Sequence, residues 1–326
     1  MWGFIDFQVV NYLIFREKAP AAPRLLTPDP TVNLTFVQLL MTYLLTVYRA
    51  LECRPDTYRD WYDQGNILRE RMDYFGALIS YEKALEYYPD DYWAWYKRGM
   101  ILEDLGMYEE AAESYSNAAQ VKDDNYWAWY DQGCVYLQEL KEYEKAIACF
   151  QRALSHSPGD YWAAYRQGEA YRLLKNYERA ITSYDLALGA RPRDYWAWYR
   201  RGDAFRDWGN PQEALFNYRT ALDIRPQDYW SWYQQGVILQ ELQRLTEAIA
   251  CYEESLKIDR DDRYAWYNSA CCYAALGQQQ KAINCLREAL DIEPDICGEL
   301  ARNNFVFDGL RQNETFNDLL SCYSPS

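Results

Sequence analysis

Trp95-Tyr96-Lys97-Arg98-Gly99 decides the fold, because its aromatic pair and its glycine return along most of the chain. The copies are Trp61-Tyr62…Gly65, Trp95-Tyr96…Gly99, Trp129-Tyr130…Gly133, Ala164-Tyr165…Gly168, Trp198-Tyr199…Gly202, Trp232-Tyr233…Gly236 and Trp266-Tyr267…Ala270. Successive tyrosines lie 34, 34, 35, 34, 34 and 34 residues apart. A fixed period of this length marks a helical solenoid. Stacked repeats make long surfaces rather than enclosed pockets, so the pattern points to recognition before catalysis.

The rest of each period reads as helix–turn–helix. An alanine follows each glycine, or Ala270, by 12 residues: Ala77, Ala111, Ala180, Ala214, Ala248 and Ala282. The third copy needs 13 to reach Ala146, which puts an extra residue near Lys141 in the inter-helix turn. Four residues on stands a bulky group (Tyr81, Tyr115, Phe150, Tyr184, Tyr218, Tyr252, Leu286), and three further a small one (Ala84, Ala118, Ala153, Ala187, Ala221, Ser255, Ala289). That spacing puts all three on one helical face. Small residues there let helices approach closely while the bulky group fills the space between them. Pro89, Pro158, Pro192, Pro226 and Pro294 then stop the second helix, with Asp123 and Arg260 in the other two copies.

This pattern resembles the tetratricopeptide repeat family from about Thr57 to Pro294. The resemblance implies an all-α fold, a right-handed superhelical solenoid of antiparallel helix pairs. It also implies a concave groove lined by first helices that grips a peptide or a partner's helix. The expected organisation is a degenerate capping repeat or membrane-contact segment over 1–56, seven repeats over 57–294 and capping helices over 295–326.

Composition narrows the function. Forty-nine acids against 34 bases give a net charge of −15. Nucleic-acid phosphates demand basic surface, so DNA and RNA are excluded as partners. Acidic outer faces instead keep an aromatic-rich solenoid soluble. Nine cysteines (Cys53, Cys134, Cys149, Cys251, Cys271, Cys272, Cys285, Cys297, Cys322) lack a framework spacing, which points to reduced thiols and a cytoplasmic location. Asn33-Leu34-Thr35 and Asn313-Glu314-Thr315 match the glycosylation pattern without a secretory signal beside them.

Both ends read as caps. Ala50 and Pro55 precede Trp61 as Ala84 and Pro89 precede Trp95, so Leu34 to Cys53 aligns with a second helix. Apolar Met1–Phe15, which lacks the basic start of a signal peptide, supplies a candidate first helix, joined through Pro20, Pro23, Pro28 and Pro30. The competing reading is membrane contact through residues 1–54, since Thr31 to Tyr48 runs 18 residues without a charge. Asn33, Thr35, Gln38, Thr42 and Thr46 oppose it by lowering the hydrophobicity. After Pro294, Leu300-Ala301-Arg302, Phe305…Phe307-Asp308-Gly309-Leu310-Arg311 and Phe316…Leu319-Leu320 form an amphipathic close. It resembles the segment that ends many arrays of this family and would cover the last repeat's apolar face.

Catalysis has little to stand on. His156 is the only histidine and sits at a helix end; phosphate-loop, dinucleotide and zinc patterns are missing, and no cofactor is expected. Recognition has more. In the second copy Trp95, Gly99 and Leu102 share one stripe, which in the family faces the second helix. Trp93, Tyr96, Met100 and Glu103 form another about 100° around, which in the family faces the groove. Its members recur as Trp127, Trp162, Trp196, Trp230 and Tyr264, and as Tyr62, Tyr130, Tyr165, Tyr199, Tyr233 and Tyr267.

Each groove tryptophan has two readings: a staple over the preceding loop, as Trp196 over Arg191-Pro192-Arg193, or an anchor for partner side chains. At the fourth and fifth copies the stripe continues as Glu169–Arg172 and Asp203–Arg206, with Arg166 and Arg200 at its edge. These are either contacts for an acidic partner or ion pairs within one helix. At the sixth and seventh the stripe turns to Val237–Gln240 and Cys271–Ala274. Some family members clamp a chaperone's acidic tail with lysines and asparagines. Here tyrosine fills the place of the first lysine in every copy, and only Asn66 supplies the asparagine.

The resulting expectation is a non-catalytic scaffold or adaptor for another protein, with its site in the fourth to sixth copies. The alternative is a membrane-associated assembly factor. The double-aromatic wording looks like that of tetratricopeptide proteins in photosynthetic bacteria, some of which help assemble photosystems; that is analogy with the fold, not with a site.

Overall fold

A computed structural model describes residues 57–323. The expected leading repeat and membrane-contact segment therefore lie outside the described residues. Seven helix pairs follow one another: α1 (Tyr58–Glu70) and α2 (Tyr74–Tyr87), α3 (Tyr92–Asp104) and α4 (Tyr108–Val121), α5 (Tyr126–Gln138) and α6 (Tyr143–His156), α7 (Tyr161–Leu173) and α8 (Tyr177–Ala190), α9 (Tyr195–Asp207) and α10 (Pro211–Ile224), α11 (Tyr229–Glu241) and α12 (Leu245–Ile258), and α13 (Arg263–Ala275) and α14 (Gln279–Ile292). The close consists of α15 (Pro294–Asn303), a 3₁₀ turn (Phe305–Leu310) and α16 (Glu314–Cys322). The chain is an all-α solenoid of paired helices.

Local chemistry explains where the pairs begin. Asp91, Asn125, Asp160, Asp194, Asp228 and Asp262 stand just before the first helices, and each side chain accepts a backbone N–H from the first turn. Losing such a cap costs about 1 kcal/mol. Each turn between α3 and α4 and its equivalents carries one residue in the left-handed region, glycine at Gly106, Gly209 and Gly277, and otherwise Met72, Lys141, Lys175 or Gln243. The extra residue of the third copy falls in this turn, beside Lys141.

The pairs are locked by a ring over a glycine. A Cβ placed on Gly168 would lie 2.7 Å from the Tyr184 ring, and the same conflict would arise at Gly65, Gly99, Gly133, Gly202 and Gly236. Where Ala270 replaces the glycine, the opposing group is Leu286 rather than a ring. Tyr81, Tyr184, Tyr218, Tyr252 and Phe150 are wholly buried, as are the alanines that flank them. At the C-terminal end Phe307, Leu310, Phe316 and Leu320 pack with Ile283, Leu286 and Leu290 in one cluster and cover the last pair. Among the described residues no helix is long and apolar enough to cross a membrane.

Candidate functional site

The groove tyrosines are built in rather than presented. Tyr96 stacks on Tyr92 at 5.8 Å between centroids, and Tyr130, Tyr165, Tyr199 and Tyr233 do the same on Tyr126, Tyr161, Tyr195 and Tyr229. Each also packs on the ring buried inside its pair, Tyr96 on Tyr115 and Tyr199 on Tyr218, for example. Their hydroxyls reach the next repeat. Tyr96 donates to Asp131, Tyr233 accepts from Asn268 at 3.2 Å and Tyr267 accepts from Asn304 at 3.0 Å. The tyrosines that open the first helices add a second tie, since Tyr126 and Tyr161 donate to the capping Asp160 and Asp194, both at 2.7 Å.

The groove's polar side chains answer the buried tyrosines. Tyr81 donates to Asn66, Tyr115 to Glu103, Tyr184 to Glu169, Tyr218 to Asp203 and Tyr252 to Gln240. In the two copies where the buried group has no hydroxyl, Phe150 and Leu286, the equivalent groove positions are Cys134 with Leu137 and Cys271 with Ala274. Buried hydroxyls need acceptors, so this matching follows from hydrogen bonding alone.

The tryptophans divide by their surroundings. Trp93, Trp127 and Trp230 are 51%, 53% and 51% exposed, and Tyr264 is exposed as well. Trp93 stands edge-on to Tyr92 and Tyr96, and Trp127 to Tyr126 and Tyr130, so the exposed rings are held in one orientation. Trp162 and Trp196 are half-buried, the first under Arg191 at 5.1 Å and the second under Arg225 at 5.7 Å. The expected stapling loop is thus corrected: Trp196 is covered by the arginine that ends its own repeat, not by Arg191-Pro192-Arg193 before it. Antiparallel pairing brings the end of a second helix beside the start of its own first helix. The same position holds Lys122, Ser157 and Asp259 beside Trp93, Trp127 and Trp230.

Arg172 and Arg206 come together through Asp207. Arg172 lies 3.6 Å from it and Arg206 2.8 Å. The pairs expected within helices are present, Arg172–Glu169 at 3.6 Å and Arg206–Asp203 at 3.5 Å. Arg200 joins both repeats, 3.7 Å from Glu169 and 3.1 Å from Asp203. Burial pushes the Glu169 carboxyl up, but Arg200 and Arg172 outweigh it and hold the group below its usual range. For Asp203 burial prevails over Arg200 and Arg206, and the carboxyl is raised. Arg166 faces Cys134, Tyr130 and Tyr165, and its Nε has no partner.

Sequence reasoning missed Asp131. Its carboxyl accepts from Tyr96, and its burial, with Glu103 nearby, pushes it up to about 7. The signal lies in the position after the groove tyrosine, which in four copies (Asp131, Arg166, Arg200, Asn268) meets the groove tyrosine of the preceding repeat (Tyr96, Tyr130, Tyr165, Tyr233). Burial raises the thiols of Cys134, Cys149, Cys271 and Cys272 to about 12, which keeps them protonated and unreactive. His156 is the last residue of α6.

Helix pairs of fixed length, stacked through small residues and buried rings, define a solenoid repeat protein. The tetratricopeptide repeat is matched over residues 80–113, 130–195, 195–228 and 229–294. The chain belongs to the tetratricopeptide repeat family. No curated protein matches the sequence. Among solved structures it is similar to a MamA protein, 25% identical over 53% of this chain and 93% of that one, with a TM-score of 0.50. It is also similar to YrrB, described as a tetratricopeptide protein with an unusual peptide-binding site, 24% identical over 59% of this chain and 100% of that one, with a TM-score of 0.52. The C-terminal part of a tetratricopeptide protein from Cytophaga hutchinsonii shares the fold at 15% identity over 77% of this chain and 99% of that one, with a TM-score of 0.63.

Proposed function

We propose that the protein is a non-catalytic, cytoplasmic scaffold that binds a peptide or helix of another protein along its first-helix face. The observation that carries this is the row of exposed rings Trp93, Trp127 and Trp230, of which the first two stand edge-on to the groove tyrosines Tyr96 and Tyr130 and the third edge-on to Tyr229. Rigid aromatic anchors give contact area at low entropy cost and are the usual hot spots. The centre of the row carries four arginines, Arg166, Arg172, Arg200 and Arg206, against three carboxylates, Glu169, Asp203 and Asp207. The surplus cation favours an acidic group of the partner there, beside Arg166.

The test starts from a pull-down with mass spectrometry, followed by calorimetry on the partner found. Trp127→Ala should weaken binding more than tenfold with the melting temperature nearly unchanged. Arg172→Glu with Arg206→Glu should remove affinity and salt dependence for an acidic partner. Binding that survives all three changes in folded protein would move the site off this face. The second reading, a membrane-associated assembly factor, rests on residues 1–54. Membrane fractionation with and without them separates the two.

A further inference from the structure

Two arginines on the side of the first helices away from the groove occupy the same slot in different repeats. Arg98 lies over Trp95 at 5.7 Å and pairs with Glu82 of the preceding second helix at 3.0 Å. Arg201 lies over Trp198 at 5.2 Å and pairs with Asp185 of the preceding second helix at 3.0 Å. Each slot is therefore an indole face and a carboxylate, with a guanidinium held between them. In the third, fourth and sixth copies the arginine position holds Gln132, Gln167 and Gln235, and the carboxylate position holds Ser116, Gln151 and Arg219. Carboxylate and arginine are present together or absent together in all of these.

The seventh copy breaks the rule. It keeps the indole, Trp266, and the carboxylate, Glu253, but the arginine position is Ser269. At this slot lies a cleft of about 360 Å³ lined by Glu253, Trp266, Ser269, Tyr273 and Cys285, and also by two cationic residues, Lys257 and Arg260. The Ser269 hydroxyl is buried there and has no partner. Tyr273 donates to one Glu253 oxygen at 3.1 Å and so fixes the carboxylate. The nearest lysine on the same helix, Lys257, is taken by Glu254 at 2.5 Å. Near Cys285, Glu288 adds a second negative charge and Lys281 a positive one, the latter held over the Tyr273 ring at 5.2 Å.

We infer that this cleft is a docking slot for an arginine side chain of a partner protein, whose guanidinium lies on Trp266 against Glu253 in the place that Arg98 and Arg201 fill from within. Guanidinium suits the slot better than ammonium, because it is planar, stacks on indole and donates in a fork to one carboxylate. Ser269 follows Tyr267 by two positions, about 200° around the helix. The slot is thus separate from the groove and does not depend on what binds there.

The test uses the full chain and N-acetyl-arginine amide as probe, with N-acetyl-lysine amide as control. The readout is the Trp266 indole N–H resonance, assigned through Trp266→Phe. The arginine probe should shift it saturably, with at least tenfold weaker response to the lysine probe and in Glu253→Gln. Ser269→Arg should abolish the response and raise the melting temperature, because the slot is filled from within. Arg201→Ser should give the Trp198 indole the same response, and Trp127→Ala should leave the Trp266 response intact. Equal response to both probes, no response, or a response that survives Ser269→Arg would overturn the proposal. So would a shift of the same resonance with protein concentration alone, accompanied by dimer formation, since a second copy would then be the occupant.

Discussion

Trp198 donates its indole N–H to the backbone carbonyl of Pro192 at 2.9 Å, and this bond fastens the fifth repeat to the loop before it. Trp95, Trp129, Trp232 and Trp266 repeat the bond to Pro89, Asp123, Pro226 and Arg260. The acceptor is a main-chain oxygen, so the residue that offers it need not be proline. The stapling role, one of the two readings the sequence leaves open for Trp196, is filled by the tryptophan two positions later. The fourth copy has Ala164 at that place and lacks the indole.

Removing the donor while keeping the ring should isolate this bond. Trp198→Phe should cost about 1 kcal/mol, the usual net value of one hydrogen bond. Trp93→Phe, at an exposed ring with no such bond, should change stability by less than about 0.5 kcal/mol. Urea unfolding of both variants checks the contrast, and equal losses would count against the fastening role.

The period, the helix pairs and the closing cap were legible because they rest on spacing, and spacing survives in a bare sequence. The face of each ring was legible only in part. Trp196 and Trp198 are two residues apart, and a rotation of about 200° sends one to the groove and the other to the loop. Which of the groove rings lies open follows the residue just after the second helix, Arg191 or Arg225 against Lys122, Ser157 or Asp259, some thirty positions downstream. The pairing of Tyr218 with Asp203 and of Tyr184 with Glu169 joins positions on different helices, so no periodicity within one helix displays it.

Gly168→Ala should be destabilising although alanine is the better helix former. The new Cβ meets the Tyr184 ring at 2.7 Å, and that ring is held by its hydroxyl bond to Glu169. Overpacking of this kind costs about 1–3 kcal/mol. Combining it with Tyr184→Leu reproduces the Ala270–Leu286 arrangement of the seventh copy. The double variant should lose less than the sum of the single losses, by an interaction energy of about 0.5 kcal/mol or more. Simple additivity in thermal or urea melts would show that ring and glycine are not in conflict.

The matching of hydroxyls to acceptors predicts a reciprocal pair. Tyr218→Phe removes a 2.7 Å bond to the buried Asp203 and should cost about 1.5–3 kcal/mol, the range for hydrogen bonds to charged groups. Phe150→Tyr adds a hydroxyl where the two positions that supply its acceptor in the other copies hold Cys134 and Leu137. An unsatisfied buried polar group costs about 1–3 kcal/mol, so this addition should destabilise as well. Phe150→Tyr combined with Leu137→Gln supplies the acceptor that Gln240 gives Tyr252, and should recover part of the loss. Denaturant melts of the three variants decide it.

Asp131 makes stability depend on pH in the direction opposite to an ordinary salt-bridged carboxylate. In the unfolded chain it titrates near about 3.9. In the fold, burial first and Glu103 as a further contribution push it up to about 7, against the bond from Tyr96, which lowers it. Between these two values the folded chain holds a proton that the unfolded chain has lost. The stability linked to this proton is fully present below about pH 4 and is lost as pH rises to about 7, above which the contribution is constant. Asp131→Asn keeps an acceptor for the Tyr96 hydroxyl and removes the titration. The variant should therefore be more stable than the parent at pH 8, and the gap should shrink steadily towards pH 4. Urea unfolding of both proteins at pH 4.5, 6 and 8 measures that gap. A gap that stays constant across the series would mean that Asp131 is ionised in the fold at ordinary acidity and that its neighbours, not its burial, govern the carboxylate.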